Sequence, residues 1–331
     1  MVSRTVVRRG LRLVALAAAL VVLLAGLVAG AHHVKFTGDP EDWAKSTGND
    51  ALWMGHMWVD GRKTEADVAE LAVRLSRTGI KDLYVHTGPF NADGTLDLEP
   101  PTQAFTAAAK RHGLRVSAWL GQAVDGILDL DDTATRTNIL TSVQRTMALG
   151  FDGIHYNFEP IGDGDAEFLD LLERTRAHTK LLSTSTPQIE PYPGMRLAAR
   201  VAINHDKYWS AGYFSEVVER VDQVAIMTYD SFMPTGSLYG GHVVRQAERA
   251  LDLVPQDKLL LIGAPAYHDH AFAWSDASES VATAARAARL ALSTHGRRER
   301  YGLALYVDFA ATGQDWHEYT EQWFQPALQV W

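Results

Sequence analysis

The residues best suited to chemistry lie in one short stretch, Phe151–Pro160, where polar and aromatic side chains alternate. In an extended strand, residues two apart share a face. His155, Asn157 and Glu159 therefore point one way, and the aromatic residues between them point the other. A glutamate that ends such a row can act as a general acid or base when its pKa is raised. The stretch therefore predicts acid–base chemistry carried by Glu159.

The same polar row also has a purely structural interpretation, a hydrogen-bonded polar plug inside a protein core. Polar groups buried without partners would cost about 1–3 kcal/mol each, so a plug needs matching partners. Carboxyl groups with shifted pKa values concentrate at functional sites. We therefore favour the catalytic interpretation of Glu159.

Around Glu159 the chain resembles a known enzyme family. Asp152-Gly153 followed by Glu159 matches the outer positions of the Asp-Gly-x-Asp-x-Asp-x-Glu signature of glycoside hydrolase family 18, while His155 and Asn157 replace the two middle aspartates. The Asn-x-Glu ending is instead similar to glycoside hydrolase family 85. The first resemblance implies a (β/α)₈ barrel, and both imply hydrolysis of glycans that contain N-acetylglucosamine.

Further resemblance to family 18 lies downstream. Val224–Asp230 resembles the Met-x-Tyr-Asp motif of the sixth strand, and Ile262–Tyr267 resembles the Gly-x-Pro segment of the seventh. Gly302–Tyr306 falls where the family has Gly-x-x-x-Trp, with Tyr306 in place of the tryptophan under the sugar. Val116–Gln122, on the third strand, lacks the family's Ser-x-Gly-Gly.

The resemblance implies a substrate-assisted mechanism, in which the 2-acetamido oxygen of the sugar attacks the anomeric carbon. Glu159 would protonate the glycosidic oxygen, Asn157 would hold the acetamido group, and Tyr229 would donate a hydrogen bond to its carbonyl. The apolar neighbours Phe158 and Met227 would raise the pKa of Glu159 by desolvation. The predicted substrate-binding residues are Asp230, His155, Met227, Trp119 and Tyr306.

Two other functions are compatible with these residues. A barrel that binds carbohydrate without turnover would share most of these residues. A hydrolase of sugars that lack an acetamido group would need a second carboxylate near Glu159, for which Asp230 and Asp308 are candidates. We predict no metal and no cofactor, because the candidate ligands His56, His86 and His155, with Asp308, show no metal-binding spacing and the chain has no cysteine.

The elements that must position these residues alternate regularly along the chain. Eight short apolar segments are separated by segments of helical period, which predicts parallel strands joined by helices. A unit of roughly 30–40 residues repeated over about 280 residues matches a closed (β/α)₈ barrel, whose catalytic groups sit at the C-terminal strand ends. The predicted strands are Ala51–Val59, Ile80–Thr87, Leu114–Gly121, Phe151–Glu159, Leu181–Thr186, Val221–Asp230, Leu259–Ala266 and Gly302–Phe309.

Local signals support this alternation. Residues 64–67 resemble a capping box at the start of a helix. Gly79, Gly113 and Gly150 each follow a helix and precede a strand, where glycine permits the left-handed C-cap conformation. A doubly wound open sheet, the competing fold, normally carries a Gly-rich phosphate loop after its first strand, and residues 55–58 do not form one.

The first 31 residues differ from the rest. Four arginines precede an apolar run from Leu13 to Ala31 that ends in an A-x-A pattern. This pattern predicts either a signal peptide cut before His32 or an uncleaved membrane anchor. We therefore expect an exported protein, secreted or tethered to the outer face of the plasma membrane. Residues 32–50 are predicted to be a polar tether, and residues 51–331 the barrel.

Composition and charge limit the partners. Without the four leader arginines, the 31 basic residues fall to 27 against 40 acidic residues, which leaves a net charge of −13. Such a charge repels nucleic acid. Apolar residues make up 47% of the chain, enough for a large core without cross-links. We expect a monomer that acts on a carbohydrate, with membrane contact only through its N-terminal segment.

Overall fold

Parallel strands close into a barrel in the computed structural model, which describes residues 4–203, 206–268 and 278–325. The strands are β1 (Asp50–Met54), β2 (Ile80–Pro89), β3 (Arg115–Ala123), β4 (Gly153–Glu159), β5 (Leu182–Thr186), β6 (Gln188–Ile189), β7 (Tyr208–Trp209), β8 (Gln223–Ile226), β9 (Leu259–Pro265) and β10 (Tyr301–Tyr306). The short strands β6 and β7 pair only with each other. The other eight form the closed ring, in which β1 pairs with both β2 and β10. The predicted single (β/α)₈ barrel is confirmed.

Helices surround the barrel and connect its strands. They are α1 (Arg4–Lys35), α2 (Glu65–Leu75), α3 (Thr102–Arg111), α4 (Thr133–Met147), α5 (Ala166–Thr175), α6 (Met195–Ile203), α7 (Ala211–Arg220), α8 (Gly236–Leu253), α9 (Val281–His295) and α10 (Gly313–Tyr319). The capping box predicted before α2 is present, with Thr64 and Asp67 as its two members. Side-chain oxygens also accept backbone N–H groups at the starts of α4, α5 and α7–α10, so polar caps define where most helices begin.

The glycines after the first helices have two different roles. Gly113 and Gly150 adopt positive φ values of 71° and 96° and reverse the chain as predicted. The prediction for Gly79 is wrong, because its φ is not in the left-handed region. A Cβ at Gly79 would instead collide with the Asp50 carboxylate and the Ser46 hydroxyl. Glycine is required there by a close approach of side chains rather than by a turn.

Strands β1 and β8 end four or five residues before their predicted ends, both near the barrel mouth. β1 stops at Met54 and is followed by a 3₁₀ turn over His56–Trp58. β8 stops at Ile226. Beyond it, Asp230 and Phe232 have φ values of 53° and 58°, which an extended strand cannot contain. The segment that follows β8 therefore forms a turn that can aim its side chains into the mouth.

The barrel separates an apolar outer layer from a mixed interior. Outside, Tyr156 and Phe158 of β4 pack toward α5, where Phe158 meets Phe168 edge-on and the Tyr156 hydroxyl pairs with Thr175. Inside, the opposite face of β4 points toward an aromatic cluster that contains Trp53. The alternation predicted for Phe151–Pro160 is confirmed, with the polar row facing inward.

At the N-terminal ends of the strands the barrel is closed by buried carboxylates. Asp50 accepts hydrogen bonds from Ser46 Oγ (2.5 Å), Tyr319 Oη (2.6 Å), Trp323 Nε1 (2.8 Å) and the Leu303 N–H (2.8 Å). These bonds join the chain before β1 to the residues after α10.

A second buried carboxylate lies at the same end of the barrel. Asp82 on β2 accepts hydrogen bonds from Arg115 on β3 and from Gln223 Nε2 on β8, the latter at 3.0 Å. Gln223 Oε1 in turn accepts a hydrogen bond from the Tyr84 hydroxyl at 2.9 Å. The interior polar groups at this end therefore bond to one another across the barrel axis.

The chain that precedes β1 is attached to the barrel. The last turn of α1 crosses α8, where a Cβ at Gly240 would collide with Phe36 and one at Gly241 would collide with the His32 backbone. Within the predicted tether of residues 32–50, residues 32–35 belong to α1 and residues 36–49 are irregular, and the Arg289 guanidinium of α9 donates to Ala44 O at 2.6 Å. Within the part of the chain that is described, we find no helix with both the length and the apolar content needed to cross a membrane.

Candidate active site

Glu159 and Asn157 lie at the C-terminal end of β4, where the barrel opens. The Asn157 amide lies within hydrogen-bonding reach of the Glu159 carboxylate and lowers the pKa of that carboxyl. Its Oδ1 atom accepts a hydrogen bond from the Ser185 hydroxyl of β5, which fixes the orientation of the amide. On the other side, Gly121 of β3 pairs with Asn157, and a Cβ at Gly121 would strike the Asn157 carbonyl. Neighbouring strands therefore hold the acid and its amide partner in one arrangement.

The environment of Glu159 suits a general acid. Its side chain reaches solvent at the mouth, yet protein surrounds it closely enough that desolvation raises the pKa of its carboxyl. The negative charge of Asp230 raises the pKa further, while the hydrogen bond from Asn157 opposes both effects. Because the pKa is raised, the carboxyl keeps its proton to a higher pH than an exposed glutamate does.

Three tyrosines form an aromatic wall near Glu159. Tyr306, the last residue of β10, stacks on Tyr229 with ring centres 5.3 Å apart. Tyr267 meets both rings edge-on, at 5.8 Å from Tyr229 and 5.7 Å from Tyr306. Burial raises the pKa of Tyr229 well above its ordinary value. The Tyr229 hydroxyl therefore stays protonated and can serve as a hydrogen-bond donor.

Asp230 stands beside this wall and is held by three other residues. Its Oδ1 atom accepts a hydrogen bond from the Tyr267 hydroxyl at 2.6 Å. Its backbone N–H donates to Glu279 Oε2 at 2.8 Å, and its carbonyl oxygen accepts from Lys207 Nζ at 3.2 Å. Among the described residues, only Oδ1 of the Asp230 carboxylate has a partner, so its other oxygen can meet a ligand.

These side chains enclose a cavity of about 410 Å³, a size suited to a small ligand or to one or two sugar rings. Of the predicted site residues, Glu159, Asn157, Tyr229, Asp230, Met227 and Tyr306 line this cavity together. They come from β4, from the segment after β8 and from the end of β10. The remaining lining residues are Phe158, Pro160, Ile161, Pro187, Gln188, Asp206, Lys207 and Phe232.

The prediction that His155 binds substrate is wrong. His155 is 0% exposed inside the barrel and stacks on Tyr84 with ring centres 3.8 Å apart. Its Nε2 atom accepts a hydrogen bond from Trp53 Nε1 at 2.9 Å, so Nδ1 carries the proton and donates to Ser183 Oγ at 2.8 Å. Desolvation lowers the pKa of His155 to about 3, which keeps the ring neutral. This residue matches the polar-plug interpretation, because all of its hydrogen-bonding capacity is used within the core.

Trp119 and Asp308 also lie away from the cavity. Trp119 is half-buried and packs edge-on against His86 at 4.9 Å and Tyr306 at 6.1 Å between ring centres, but it does not line the cavity. Both Asp308 oxygens are engaged, Oδ1 by the Gly55 N–H (2.8 Å) and Oδ2 by Trp58 Nε1 (2.6 Å). Of the two candidates for a second carboxylate, Asp230 is therefore the one that shares the cavity with Glu159.

Some site residues were not predicted from the sequence. Ser185 follows Ser183 at strand spacing, so an inward polar row on β5 was a usable signal. Lys207 and Glu279 had no such signal, since they lie in connecting segments far from Asp230 in the chain. Lys207 Nζ sits 4.5 Å from the centre of the Phe232 ring, which places a cation on the rim. Such neighbours are set by loop packing that strand periodicity does not encode.

A larger groove of about 840 Å³ lies elsewhere, between α1 and the helices α8 and α9. It is mostly apolar, and two of its three charged lining residues, Lys35 and Glu248, are paired with each other at 2.6 Å. We assign the chemistry to the smaller cavity, where Glu159 has a raised pKa. Within residues 4–203, 206–268 and 278–325, no group of three or more His, Asp or Glu side chains is arranged to hold a metal ion.

Comparison with solved structures shows what the fold resembles. It is similar to the spore cortex-lytic enzyme SleL of Bacillus megaterium, with a TM-score of 0.60 and 15% identity over 84% of this chain and 75% of that chain. A chitinase from Chromobacterium violaceum aligns with a TM-score of 0.56 and 14% identity, over 82% of this chain and 98% of that one. A chitinase from Bacteroides thetaiotaomicron aligns with a TM-score of 0.57 and 12% identity, covering 84% and 98%.

No family model matches the chain, and no curated protein matches it. The identities to the solved structures lie between 12% and 15%, so the similarity establishes the fold alone. At the level of the fold, the resemblance deduced from the sequence is confirmed, because proteins described as chitinases and as a cortex-lytic enzyme share this barrel. The residues of the candidate site, and not the fold, carry the information about function.

Proposed function

We propose that this protein is a retaining glycosidase that cleaves β-linked glycans at N-acetylglucosamine by substrate-assisted catalysis. One observation carries the proposal. Glu159, with its raised pKa, faces the mouth cavity together with an Asn157 amide whose orientation is fixed by Ser185. This arrangement provides an acid and a neighbouring acetamide-binding group on one strand end. The barrel shared with proteins described as chitinases supports the same reaction class.

In the first step, Glu159 transfers its proton to the glycosidic oxygen as the bond from that oxygen to the anomeric carbon breaks. The acetamido carbonyl oxygen of the same sugar attacks the anomeric carbon from the opposite side and forms a cyclic oxazolinium ion. The leaving sugar departs as an alcohol, and Glu159 becomes a carboxylate. This route does not need a second carboxylate as nucleophile.

Asn157 and Tyr229 stabilise the acetamido group during this step. Asn157 Oδ1 accepts one hydrogen bond from Ser185 and has a second lone pair for the acetamide N–H. The protonated Tyr229 hydroxyl donates toward the acetamido carbonyl, while Tyr306 offers a ring face below the sugar. Such fixed donors and acceptors lower the barrier because they require no reorganisation as charge develops.

In the second step, water attacks the anomeric carbon and reopens the oxazolinium ring. Glu159, now a carboxylate, removes a proton from that water and returns to its protonated state. Two displacements at the same carbon leave its configuration unchanged, so the product retains the β-configuration. Asp230 accepts a hydrogen bond from a sugar hydroxyl through its free oxygen.

We propose further that the domain acts outside the cytoplasm, as a monomer. The proposal rests on the arginine-flanked apolar segment at residues 1–31, whose composition is that of an export signal. A net charge of −13 on the remainder suits substrates that are neutral or weakly charged glycans. Chitin, N-glycans and peptidoglycan fragments are the substrate classes that contain β-linked N-acetylglucosamine.

The decisive experiment is a product screen with purified protein on these three glycan classes. Release of reducing ends from one class is expected with the natural chain, with the β-anomer formed first when followed by NMR. The Glu159→Gln variant should lose this activity. Glu173→Gln is the matched control, because Glu173 is a solvent-exposed glutamate on α5 near Arg220.

Two further measurements separate this proposal from the alternatives. A stable thiazoline mimic of the oxazolinium ion should inhibit the enzyme competitively if the acetamido group is the nucleophile. Turnover of glycans without any acetamido group would indicate the two-carboxylate mechanism with Asp230. Binding of glycans with equal, negligible product release by the natural chain and by Glu159→Gln would show a carbohydrate-binding barrel instead.

A further inference from the structure

The turn that follows β8 has an unusual backbone. Asp230 and Phe232 have φ values of 53° and 58°, in the left-handed region that bulky residues rarely adopt. Phe232 is also 56% exposed, so burial of its ring does not explain this conformation. A strained turn persists only where surrounding contacts determine it. The contacts that hold residues 230–232 therefore decide where the Asp230 carboxylate stands.

Glu279 supplies most of these contacts. It lies just before α9, is 7% exposed and directs both carboxylate oxygens at the turn. Oε2 accepts the Asp230 N–H at 2.8 Å, and Oε1 accepts the Ser231 N–H at 2.8 Å and the Ser231 hydroxyl at 2.6 Å. A single buried carboxylate thus binds two consecutive N–H groups of the strained turn. Charge-assisted bonds of this kind are stronger than bonds between neutral groups.

Other elements complete the hold on Asp230 but do not replace Glu279. Tyr267, after β9, donates to the Asp230 carboxylate, and Lys207, before β7, donates to its carbonyl oxygen. Neither bonds to the backbone N–H groups of residues 230 and 231. Without Glu279, two N–H groups would lose their acceptor, and the left-handed turn would lose the contact that favours it.

We propose that Glu279 is a positioning residue, which fixes the turn that places the Asp230 carboxylate in the cavity beside Glu159. Glu279 does not line the cavity and acts on the acid only through Asp230. The inference rests on the proposed function for its catalytic consequence, while the structural relation can be measured without turnover.

The charged and titratable groups around this turn come from several neighbouring elements. They are Glu159 on β4, Lys207 before β7, Tyr229 after β8, Tyr239 on α8, Tyr267 after β9, Glu279 before α9 and Tyr306 on β10. Burial raises the pKa values of these tyrosines, so they remain neutral while the carboxyls titrate. A change in the Glu159 titration therefore reports on the carboxylates and on Lys207.

The test is an NMR titration of protein with ¹³C-labelled glutamate carboxyls, with Glu159→Gln used to assign the Glu159 signal. Glu279→Gln replaces an acceptor oxygen with an NH₂ group that cannot accept the turn N–H groups. We expect the Glu159 pKa to fall in this variant, because Asp230 is no longer held beside the acid, and to fall no further than it does in Asp230→Asn, which removes the Asp230 charge itself. Ser231→Ala, a milder change, should lower the pKa less and in the same direction.

Glu318→Gln is the matched control, because Glu318 Oε2 accepts the Ala282 N–H at the start of the same helix and does not bond to the turn. It should leave the Glu159 titration unchanged. The double variant Glu279→Gln/Asp230→Asn should show no further shift beyond Asp230→Asn alone, since Glu279 acts through Asp230. Unaltered Glu159 titration in both Glu279→Gln and Ser231→Ala, or additive shifts in the double variant, would overturn the proposal.

Activity gives a second readout that separates this inference from the proposed function. In Glu279→Gln the basic limb of the kcat profile should move to lower pH, while Glu318→Gln keeps the profile of the natural chain. If the natural chain shows no glycosidase activity, the proposed function fails. The NMR titration still decides whether Glu279 positions Asp230.

Discussion

The two ends of the barrel use buried and half-buried carboxylates in opposite ways. At the closed end, Asp50 accepts four hydrogen bonds from groups that the fold holds in place, and Asp82 is bound by Arg115 and Gln223. At the mouth, Glu159 has one side-chain partner, Asn157, and Asp230 receives one hydrogen bond on its carboxylate. Glu159 and Asp230 therefore keep acceptor capacity that the carboxylates of the closed end have used up.

The carboxylates that hold the barrel together are therefore different residues from those proposed to act in catalysis. A carboxylate whose oxygens are all engaged holds its donors in place and has no acceptor left for a ligand, even where burial raises its pKa to about 6, as at Asp50. A carboxylate with unused oxygens and a raised pKa contributes less to folding and can transfer a proton. Substitutions at the two ends should therefore affect different measured quantities.

The largest effect on activity is expected from Glu159→Gln. Loss of the general acid should lower kcat by about 10²–10⁴-fold, the usual contribution of a positioned acid–base group. The free energy of unfolding should change little, because the side chain reaches solvent and has one partner. Urea denaturation and steady-state kinetics on the same preparation test both statements. A large loss of stability would contradict the division between the two ends.

The largest effect on stability is expected from Asp50→Ala. Four donors would lose their acceptor at a buried site, and each unsatisfied group costs about 1–3 kcal/mol. We expect the free energy of unfolding to fall by at least about 3 kcal/mol, measured by urea denaturation. The kcat of the remaining folded protein should be close to that of the natural chain. A specific loss of kcat would mean that the closed end also shapes the mouth.

A smaller loss is expected from changes beside the acid. Asn157→Ala removes the group proposed to hold the acetamide and should lower kcat by about 10²-fold, comparable to the loss of one oxyanion-hole donor. Ser185→Ala leaves the amide in place but frees its orientation, so its effect should be smaller. Kinetics on an N-acetylglucosamine oligomer measure both. An equal loss in the two variants would indicate that Asn157 acts only through its hydrogen bond to Ser185.

The smallest effect is a shift in pH dependence. Glu159 must be protonated in the first step, so activity is lost as pH rises through its pKa. The Asp230 charge raises this pKa, and Asp230→Asn should therefore move the basic limb of the kcat profile to lower pH. The pH–rate profile of this variant against the natural chain is the measurement. A shift to higher pH would contradict the sign of the proposed coupling.

Much of the fold was predictable from local patterns. All eight predicted strand segments overlap the observed barrel strands, and the capping box before α2 forms where Thr64 and Asp67 stand. The inward row of β4 was predicted from the strand period alone. These features depend on residues close together in the chain, so their physical causes are visible in the sequence.

The errors have a common origin. His155 has the same spacing as Asn157 and Glu159 and faces the same interior, yet it lies deeper and meets Trp53 and Ser183. Depth along a barrel axis depends on how the neighbouring strands are staggered, which the period of one strand does not reveal. Gly79 was assigned a turn for a similar reason, since the Asp50 carboxylate that excludes its Cβ lies on another strand.

The sequence by itself determined the alternation of strands and helices, the acid at the tip of β4 and the resemblance that suggests its chemistry, because each follows from residue types at short and regular spacing. Only the tertiary structure decided which carboxylates remain available to a ligand. Asp50, Asp308 and Asp230 are alike as residues, and their different states come from donors that arrive from distant segments. The number of hydrogen bonds that reach each carboxylate is a property of packing, and it separates the residues that stabilise this barrel from those proposed to act on a substrate.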